Sequence, residues 1–171
     1  MYNSRGHGSP SAARTGKTED IMTTAVFTGS FDPFTIGHHS IVCRALPLFG
    51  HIVIGVGINE QKKYMLTADE RVRRIAALYA SEPKIEVKAY SDLTVDFARR
   101  EDAGFIIKGV RSVKDFEYER EQADINRMTG GVETVLLFAE PHLASISSSM
   151  VRELAHFGSD VSRFLPSGNE E

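Results

Sequence analysis

Residues 24–40 read TAVFTGSFDPFTIGHHS, and this stretch decides the fold class because it joins a short apolar strand to a helix through an irregular turn. The strand ends at Gly29, which lets the backbone approach a ligand closely. Pro33 blocks early helix formation and restricts Asp32 to extended geometry. A strand, a turn of this kind and a helix in direct succession predict the first unit of an α/β fold.

Apolar runs of strand length alternate with helical patterns along the rest of the chain. The capping box of Thr67 and Glu70 marks one helix start. The order is strand then helix, five times, which predicts an α/β fold with a doubly wound five-stranded parallel sheet and helices on both faces. The predicted strands are 24–29, 51–59, 84–90, 105–109 and 134–139, and the predicted helices are 38–50, 67–80, 94–104, 113–128 and 147–158.

Composition excludes several classes of protein. The 171 residues suit one domain, and a formal net charge of -3 without a long Lys or Arg run predicts neither a nucleic-acid nor a membrane partner. The longest apolar stretch, IVIGVGI at 52–58, is far shorter than the ~20 residues that span a bilayer. Cys43 is the only cysteine, so no intrachain disulfide can form. We expect Cys43 to be a buried structural thiol in a cytoplasmic protein.

Three segments are expected along the chain. Residues 1–21 are rich in Gly, Ser, Arg and Thr, lack the apolar core of a secretory signal, and are predicted to be a disordered extension. Met22 directly precedes the first strand and is a candidate natural start. Residues 22–166 are predicted to form the single domain, and 167–171 a short tail.

The turn after the first strand has the chemistry of a phosphate site. Parallel α/β sheets bind ligands at the carboxyl ends of their strands. Gly37 and His38 lie near the helix start, where free amides and the helix dipole favour a phosphate. His38 is therefore the candidate for stabilising charge on a reacting phosphorus. Taken alone, the string is equally typical of a loop with a helix-capping histidine. His39 is expected to face away.

Two motifs in order carry a family resemblance. GSFDPFTIGH at 29–38 resembles the (H/T)xGH signature of the adenylyl- and cytidylyltransferase superfamily, and ISSSMVR at 146–152 resembles its ISSTxxR motif. The segments at 91–99, 108–119 and 123–127 are similar to those of the bacterial phosphopantetheine adenylyltransferase family. The resemblance extends from about Thr24 to Pro166 and implies a Rossmann-like nucleotidyltransferase fold.

The resemblance implies an activity with clear physical requirements. The phosphate of 4'-phosphopantetheine attacks the α-phosphorus of ATP, giving dephospho-coenzyme A and pyrophosphate, the fourth step of coenzyme A synthesis. The nucleophile is already charged, so the protein needs no general base and must supply positioning and cations. Lys62, Lys108 and Arg111 fall at the carboxyl ends of predicted strands and are expected at the same sheet edge.

The resemblance also implies roles for individual residues. His38 would contact the ATP phosphates and stabilise the transition state, while Lys62 would bridge the two substrates. Ser30 would touch both reacting groups, and Lys108 would bind the phosphate of phosphopantetheine. The other implied nucleotide contacts are Phe31, Gly109, Val110, Arg111, Glu119, Ser147, Ser148 and Ser149, and the implied borders of the pantetheine arm are Thr94 and Asn126.

Simpler interpretations remain open for several of these residues. Lys62 and Lys63 are adjacent, and only the family register favours Lys62. The run of serines at 147–149 suits a helix N-cap without any ligand. Arg111 and Glu119 are also consistent with a surface ion pair that contributes little to stability. The string DFEYERE, residues 115–121, suits a solvent-facing helix surface.

Four positions depart from the family pattern. Thr28 and Tyr64 stand where proline is common, and Ser30 replaces threonine but keeps the hydroxyl. Lys108 replaces a usual arginine and offers a point charge instead of a planar fork. We expect this change to weaken or disorder phosphopantetheine binding without abolishing the reaction.

Metal, assembly and rival functions complete the expectations. No spacing of His, Cys, Asp and Glu suggests a protein-built metal site, so Mg²⁺ is expected to arrive on the ATP phosphates, with Asp32 as an indirect partner.

The family is typically a homo-hexamer inhibited by coenzyme A. The alternatives are a related nucleotidyltransferase using nicotinamide mononucleotide or glycerol phosphate as acceptor, and a non-catalytic nucleotide-binding sensor.

Overall fold

The computed structural model describes residues 23–167, so the predictions for 1–21 and for nearly all of 167–171 lie outside the described residues. Two 3₁₀ turns, Pro141–Leu143 and Ser162–Phe164, were not predicted. The strands are β1 Thr24–Gly29, β2 His51–Gly57, β3 Ile85–Tyr90, β4 Phe105–Val110 and β5 Glu133–Phe138, and the helices are α1 Ile36–Ala45, α2 Ala68–Leu78, α3 Thr94–Arg100, α4 Val113–Gly130 and α5 Ser148–His156.

The five strands form one parallel sheet in the order β3-β2-β1-β4-β5. Strand β1 lies in the middle, with Val26 opposite Val53 of β2 on one side and Ile106 of β4 on the other. The chain winds outward from β1 in one direction and then in the other. The predicted doubly wound parallel sheet is therefore confirmed, and the carboxyl end of β1 is the point where strand order reverses.

Apolar side chains cover both faces of the sheet. One cluster joins Phe27 and Ile54 of the sheet to Ile75 of α2, and the other joins Val53 to Phe97 of α3. Strands buried on both faces read as continuous apolar runs, which is why β1 and β2 were recognisable from sequence.

The helix boundaries differ most from prediction at the end of α3, which is Arg100 and not residue 104, and at α1. This helix begins at Ile36 because Thr35 caps it, and it ends at Ala45, well before the predicted residue 50. Pro47 follows and has no N–H with which to continue the helical ladder. The capping box of Thr67 and Glu70 at the start of α2 is confirmed.

The prediction that Cys43 is buried is wrong. Its thiol is exposed. The buried face of α1 consists of Ile41, Val42 and Ala45, and the 3.6-residue helical repeat turns position 43 away from that face.

Residues 23–167 contain no helix long and apolar enough to cross a bilayer.

We predict that Gly55→Ala destabilises the sheet by about 1–3 kcal/mol through overpacking. An added Cβ would lie 2.5 Å from Cε1 of Phe97, whose ring is 1% exposed and cannot move aside. Gly104→Ala is the matched control, since its Cβ would meet no atom within 4 Å. Urea unfolding of both variants measures the difference, and equal midpoints would contradict the prediction.

Candidate active site

A cavity of about 630 Å³ opens where the strand order reverses, beyond the carboxyl ends of β1 and β4. Its size is typical of a small-molecule site. Helix α5 and the loop at 58–66 form much of the remaining wall. Of the residues predicted from sequence, the wall contains Ser30, Phe31, His38, Lys62, Lys108, Gly109, Arg111, Glu119, Ser147, Ser148 and Ser149.

Three predicted site residues are not on this wall. The side chain of Val110 is buried in the core. The hydroxyl of Thr94 lies 3.2 Å from the hydroxyl of Tyr90 and shares a hydrogen bond with it. Asn126 lies near the carboxyl end of α4 and is half-buried. The fold thus brings most of the predicted residues to one cavity and leaves these three outside its wall.

His38 both caps α1 and faces the cavity. The backbone N–H of Thr35 donates to Nδ1 of His38 at 3.0 Å. Since Nδ1 accepts this bond, the proton of the neutral ring resides on Nε2. The helix-capping and phosphate-binding interpretations are therefore compatible, because capping uses one ring nitrogen and leaves the N–H of the other available to a ligand.

The surroundings of His38 favour its neutral form. The rings of Phe31 and Phe34 lie 5.1 Å and 5.3 Å from the imidazole, centroid to centroid. Burial, with a smaller contribution from the charge of Arg111, lowers the pKa of His38 from 6.5 to about 4. At neutral pH, His38 is an uncharged hydrogen-bond donor held in one tautomer.

The turn before α1 requires an unusual backbone. Phe31 has a φ of 49°, in the left-handed region that residues with side chains rarely adopt. An added Cβ on Gly29 would lie 2.8 Å from the Phe31 ring, so that position needs glycine. This strained turn places the Phe31 ring against His38, and strain of this kind concentrates at functional sites.

Asp32 joins the turn to two other parts of the cavity wall. Its side chain is 2% exposed, and its two carboxylate oxygens accept hydrogen bonds from the backbone amides of Met65 and Leu66 at 2.7 Å and 2.9 Å. Its carbonyl accepts from Arg152 at 2.6 Å. Both carboxylate oxygens thus hold the loop at 58–66.

Arg152 was not singled out from sequence, although it is the last residue of the ISSSMVR motif. It lies on the cavity wall, bonds to Asp32, and donates to the Ser149 hydroxyl at 3.1 Å. The motif itself could have predicted this position, because Arg152 follows the serines by one helical turn and so lies on the same helix face.

The cations at the mouth have acidic partners. Nζ of Lys108 lies 4.0 Å from a carboxylate oxygen of Glu119, and Nε of Arg111 lies 3.0 Å from one of Asp115. The ion pair between Arg111 and Glu119 that the sequence also suggested is therefore absent, because each pairs with a different residue. Burial lowers the pKa of Lys108, and the charge of Glu119 partly opposes that shift. Lys62 and Lys63 are both exposed on the wall, so geometry does not separate them.

The serine run opens α5 toward the cavity. Ser147 is the N-cap and accepts from the amide of Met150 at 3.1 Å, as the simpler interpretation expects. The Ser148 hydroxyl donates to the carbonyl of Pro33 at 2.8 Å. The first amides of a helix have no intrahelical partner, so this end can also bind an anion.

Comparison with known proteins identifies relatives. Residues 26–154 match the model of the cytidylyltransferase-like family. The chain is 56% identical over 147 residues to the phosphopantetheine adenylyltransferase of Phocaeicola vulgatus, an alignment that covers 86% of this chain and 97% of the relative. It is 52% identical over 149 residues to the protein of the same name from Bacteroides fragilis, covering 87% and 99%.

A solved structure has a similar fold. It is a bifunctional NMN adenylyltransferase/ADP ribose pyrophosphatase from Francisella tularensis, complexed with AMP and a manganese ion. The TM-score is 0.66 at 14% identity, and the match covers 87% of this chain and 46% of that one. The chain thus spans less than half of that structure, and the likeness concerns the fold alone.

We predict that His38 in the free protein stays neutral, with its proton on Nε2, down to about pH 4. Because the folded-state pKa lies below the unfolded value, its contribution to stability is present above pH 6.5 and is lost as pH falls toward 4. Two-bond ¹H–¹⁵N NMR of the imidazole across this range measures both tautomer and titration. A midpoint near 6.5, or a proton on Nδ1, would contradict the prediction.

Proposed function

The chain belongs to the phosphopantetheine adenylyltransferases of the cytidylyltransferase-like family, and from that membership we propose how its residues carry out the reaction. The enzyme transfers the adenylyl group of ATP to the phosphate of 4'-phosphopantetheine, releasing dephospho-coenzyme A and pyrophosphate. The observation that carries the assignment of the site is His38, a neutral imidazole with a free Nε2–H, placed among cations at the point where strand order reverses.

The reaction brings two anions together. An oxygen of the acceptor phosphate forms a bond to the α-phosphorus of ATP, and the bond from that phosphorus to the oxygen of the leaving pyrophosphate breaks. Negative charge is spread over the phosphoryl oxygens in the transition state. The Nε2–H of His38 donates to these oxygens, and a donor held rigidly in advance needs no reorganisation as charge develops.

Cations and helix amides share the remaining charge. Lys62, chosen over Lys63 by the family register, lies on the cavity wall and would draw the acceptor phosphate toward the α-phosphorus. Lys108 binds the acceptor phosphate, Ser30 contacts both reacting groups, and the amides at the start of α5 face the β- and γ-phosphates. The nucleotide is further lined, in our proposal, by wall residues Phe31, Gly109, Arg111, Glu119, Ser147, Ser148 and Ser149. Val110 has its side chain buried in the core, so its proposed contact with the nucleotide is limited to its backbone and depends on family resemblance.

Thr94 and Asn126 are proposed to border the pantetheine arm. Both lie outside the wall of the cavity, so this assignment depends on family resemblance.

A divalent cation, Mg²⁺ in our proposal, would reach the site bound to the ATP phosphates. Residues 23–167 contain no group of three or more His, Cys, Asp or Glu side chains that could hold a metal ion. The carboxylates on the wall have other partners: Asp32 binds two amides, Asp115 pairs with Arg111, and Glu119 lies near Lys108. Such a site fits a cation held by phosphate oxygens and water, which would reduce the repulsion between substrates.

Assembly into a homo-hexamer, feedback inhibition by coenzyme A and a cytoplasmic location remain proposals from family resemblance. The exposed apolar surface of α4 supports self-association, since no α4 residue is buried in the single chain. Its exposed apolar side chains are Val113, Phe116, Tyr118, Ile125 and Met128.

We predict that the wild-type protein releases pyrophosphate from Mg-ATP with 4'-phosphopantetheine, and that His38→Ala lowers kcat roughly 10²–10³-fold, as loss of one transition-state donor does. His39→Ala is the control, because His39 stacks on Tyr79 and is not on the cavity wall. Continuous pyrophosphate detection measures all three proteins after their folding is checked by circular dichroism.

The same assay separates the rival functions. Turnover with nicotinamide mononucleotide or glycerol phosphate instead would assign another acceptor. Tight ATP binding without pyrophosphate release from any acceptor would indicate a nucleotide-binding sensor.

We predict that Lys108→Arg lowers the KM for phosphopantetheine by about threefold or more, because a guanidinium binds phosphate through two parallel hydrogen bonds. Lys114→Arg on exposed α4 is the control, since Lys114 is not on the wall of the cavity. Steady-state kinetics with phosphopantetheine varied at saturating ATP measures the change. An unchanged KM would remove Lys108 from the acceptor site.

A further inference from the structure

Arg71, on α2, is a buried cation outside the motifs recognised in the sequence. It is 2% exposed and is the largest of the fully buried side chains in residues 23–167. Its Nη1 donates to the carbonyl of Ser30 at 2.5 Å and to that of Gly57 at 3.0 Å. The guanidinium thus joins the turn after β1, where Ser30 lines the cavity, to the end of β2.

The guanidinium also packs on the loop that carries Lys62. Its central carbon lies 4.1 Å from the centroid of the Tyr64 ring, a cation–π contact. The Tyr64 hydroxyl accepts a hydrogen bond from the backbone amide of Asn59 at 2.9 Å. Asn59 and Tyr64 lie on either side of Lys62, so the contact with Arg71 supports both ends of that segment.

Stability alone is a poor explanation for this arginine. Within the part of the chain that the structure describes, no carboxylate lies within ion-pair distance of Arg71, and its buried Nε has no hydrogen-bond partner. A buried charge without an opposite charge is unfavourable, and an apolar side chain would fill such a position at less cost. Two of the three residues that its guanidinium contacts, Ser30 and Tyr64, lie on the cavity wall.

We propose that Arg71 is a positioning residue that keeps the Lys62 loop and the Ser30 turn in register for adenylyl transfer. It contacts the turn through Ser30 and the loop through Tyr64, while Asp32 holds Met65 and Leu66 at the far end of the same loop. Misplacement of a catalytic group by about 1 Å costs about 10²-fold in rate. The inference rests on the proposed function, because it assigns Lys62 and Ser30 to the reacting phosphates.

The test compares Arg71→Met with Arg74→Met, an exposed arginine on the same helix. Methionine keeps much of the side-chain volume but lacks the positive charge and the N–H donors of the guanidinium. For Arg71→Met we expect kcat to fall at least about tenfold with the KM for ATP changed less than about threefold, and Arg74→Met to match wild type. A kcat for folded Arg71→Met within twofold of wild type would overturn the proposal.

A double-mutant cycle separates positioning from general stability. In a Lys62→Ala background, the effect of Arg71→Met on kcat should be at least about threefold smaller than in wild type, because only the part exerted through the Ser30 turn remains. If Arg71 only stabilised the fold, Arg71→Met would lower kcat by the same factor in the wild-type and Lys62→Ala backgrounds. That result would overturn the proposal.

Amide hydrogen exchange supplies a readout that does not depend on activity. Exchange of residues 59–66 should be at least about tenfold faster in Arg71→Met than in wild type, and unchanged in Arg74→Met. Should Arg71→Met fail to fold, Arg71→Lys and Tyr64→Leu are measured instead, with the same direction expected. Unchanged exchange overturns the role of Arg71, whereas wild-type protein that is inactive with phosphopantetheine overturns the proposed function.

Discussion

The bonds from the amides of Met65 and Leu66 to the buried carboxylate of Asp32 hold the cavity together. They connect the turn after β1 to a loop that belongs to the neighbouring βα unit. The carbonyl of the same residue receives Arg152 from α5, so three distant segments meet at one position. A parallel sheet leaves a crevice where its strand order reverses, but only contacts of this kind turn the crevice into a site with defined walls.

Electrostatics explains which basic side chains of the cavity have acidic partners and why His38 is neutral. A site for two phosphorylated substrates needs positive charge, yet uncompensated cations would repel one another in the empty cavity. Arg111 and Lys108 have acidic neighbours in Asp115 and Glu119, which reduce this repulsion. His38 contributes without charge, since burial keeps it neutral and the Thr35 amide selects the tautomer that donates.

Three locally unfavourable features lie around the turn after β1. Phe31 has a positive φ, Nε of Arg71 is buried without a partner among the described residues, and so is Oγ1 of Thr28. Each lowers the stability that this sequence could otherwise reach. Two further features of the same kinds in residues 23–167, the positive φ of Asp102 and the buried Oγ1 of Thr134 without a partner, lie away from the cavity. The three beside the cavity agree with the tendency of functional sites to break local rules.

The sequence by itself determined the doubly wound sheet, the capping of α2 and the position of His38 at a helix start, because hydrophobic periodicity and caps are properties of neighbouring residues. Tertiary structure decided the pairing of Lys108 with Glu119, the burial that lowers the pKa of His38, and which face of α1 is buried, which leaves Cys43 exposed. Arg71 is the clearest example: within ERVRRI it is one of three arginines, and only the approach of Ser30, Gly57 and Tyr64 distinguishes it. These contacts join residues far apart in the chain, and no local pattern encodes the distance between them.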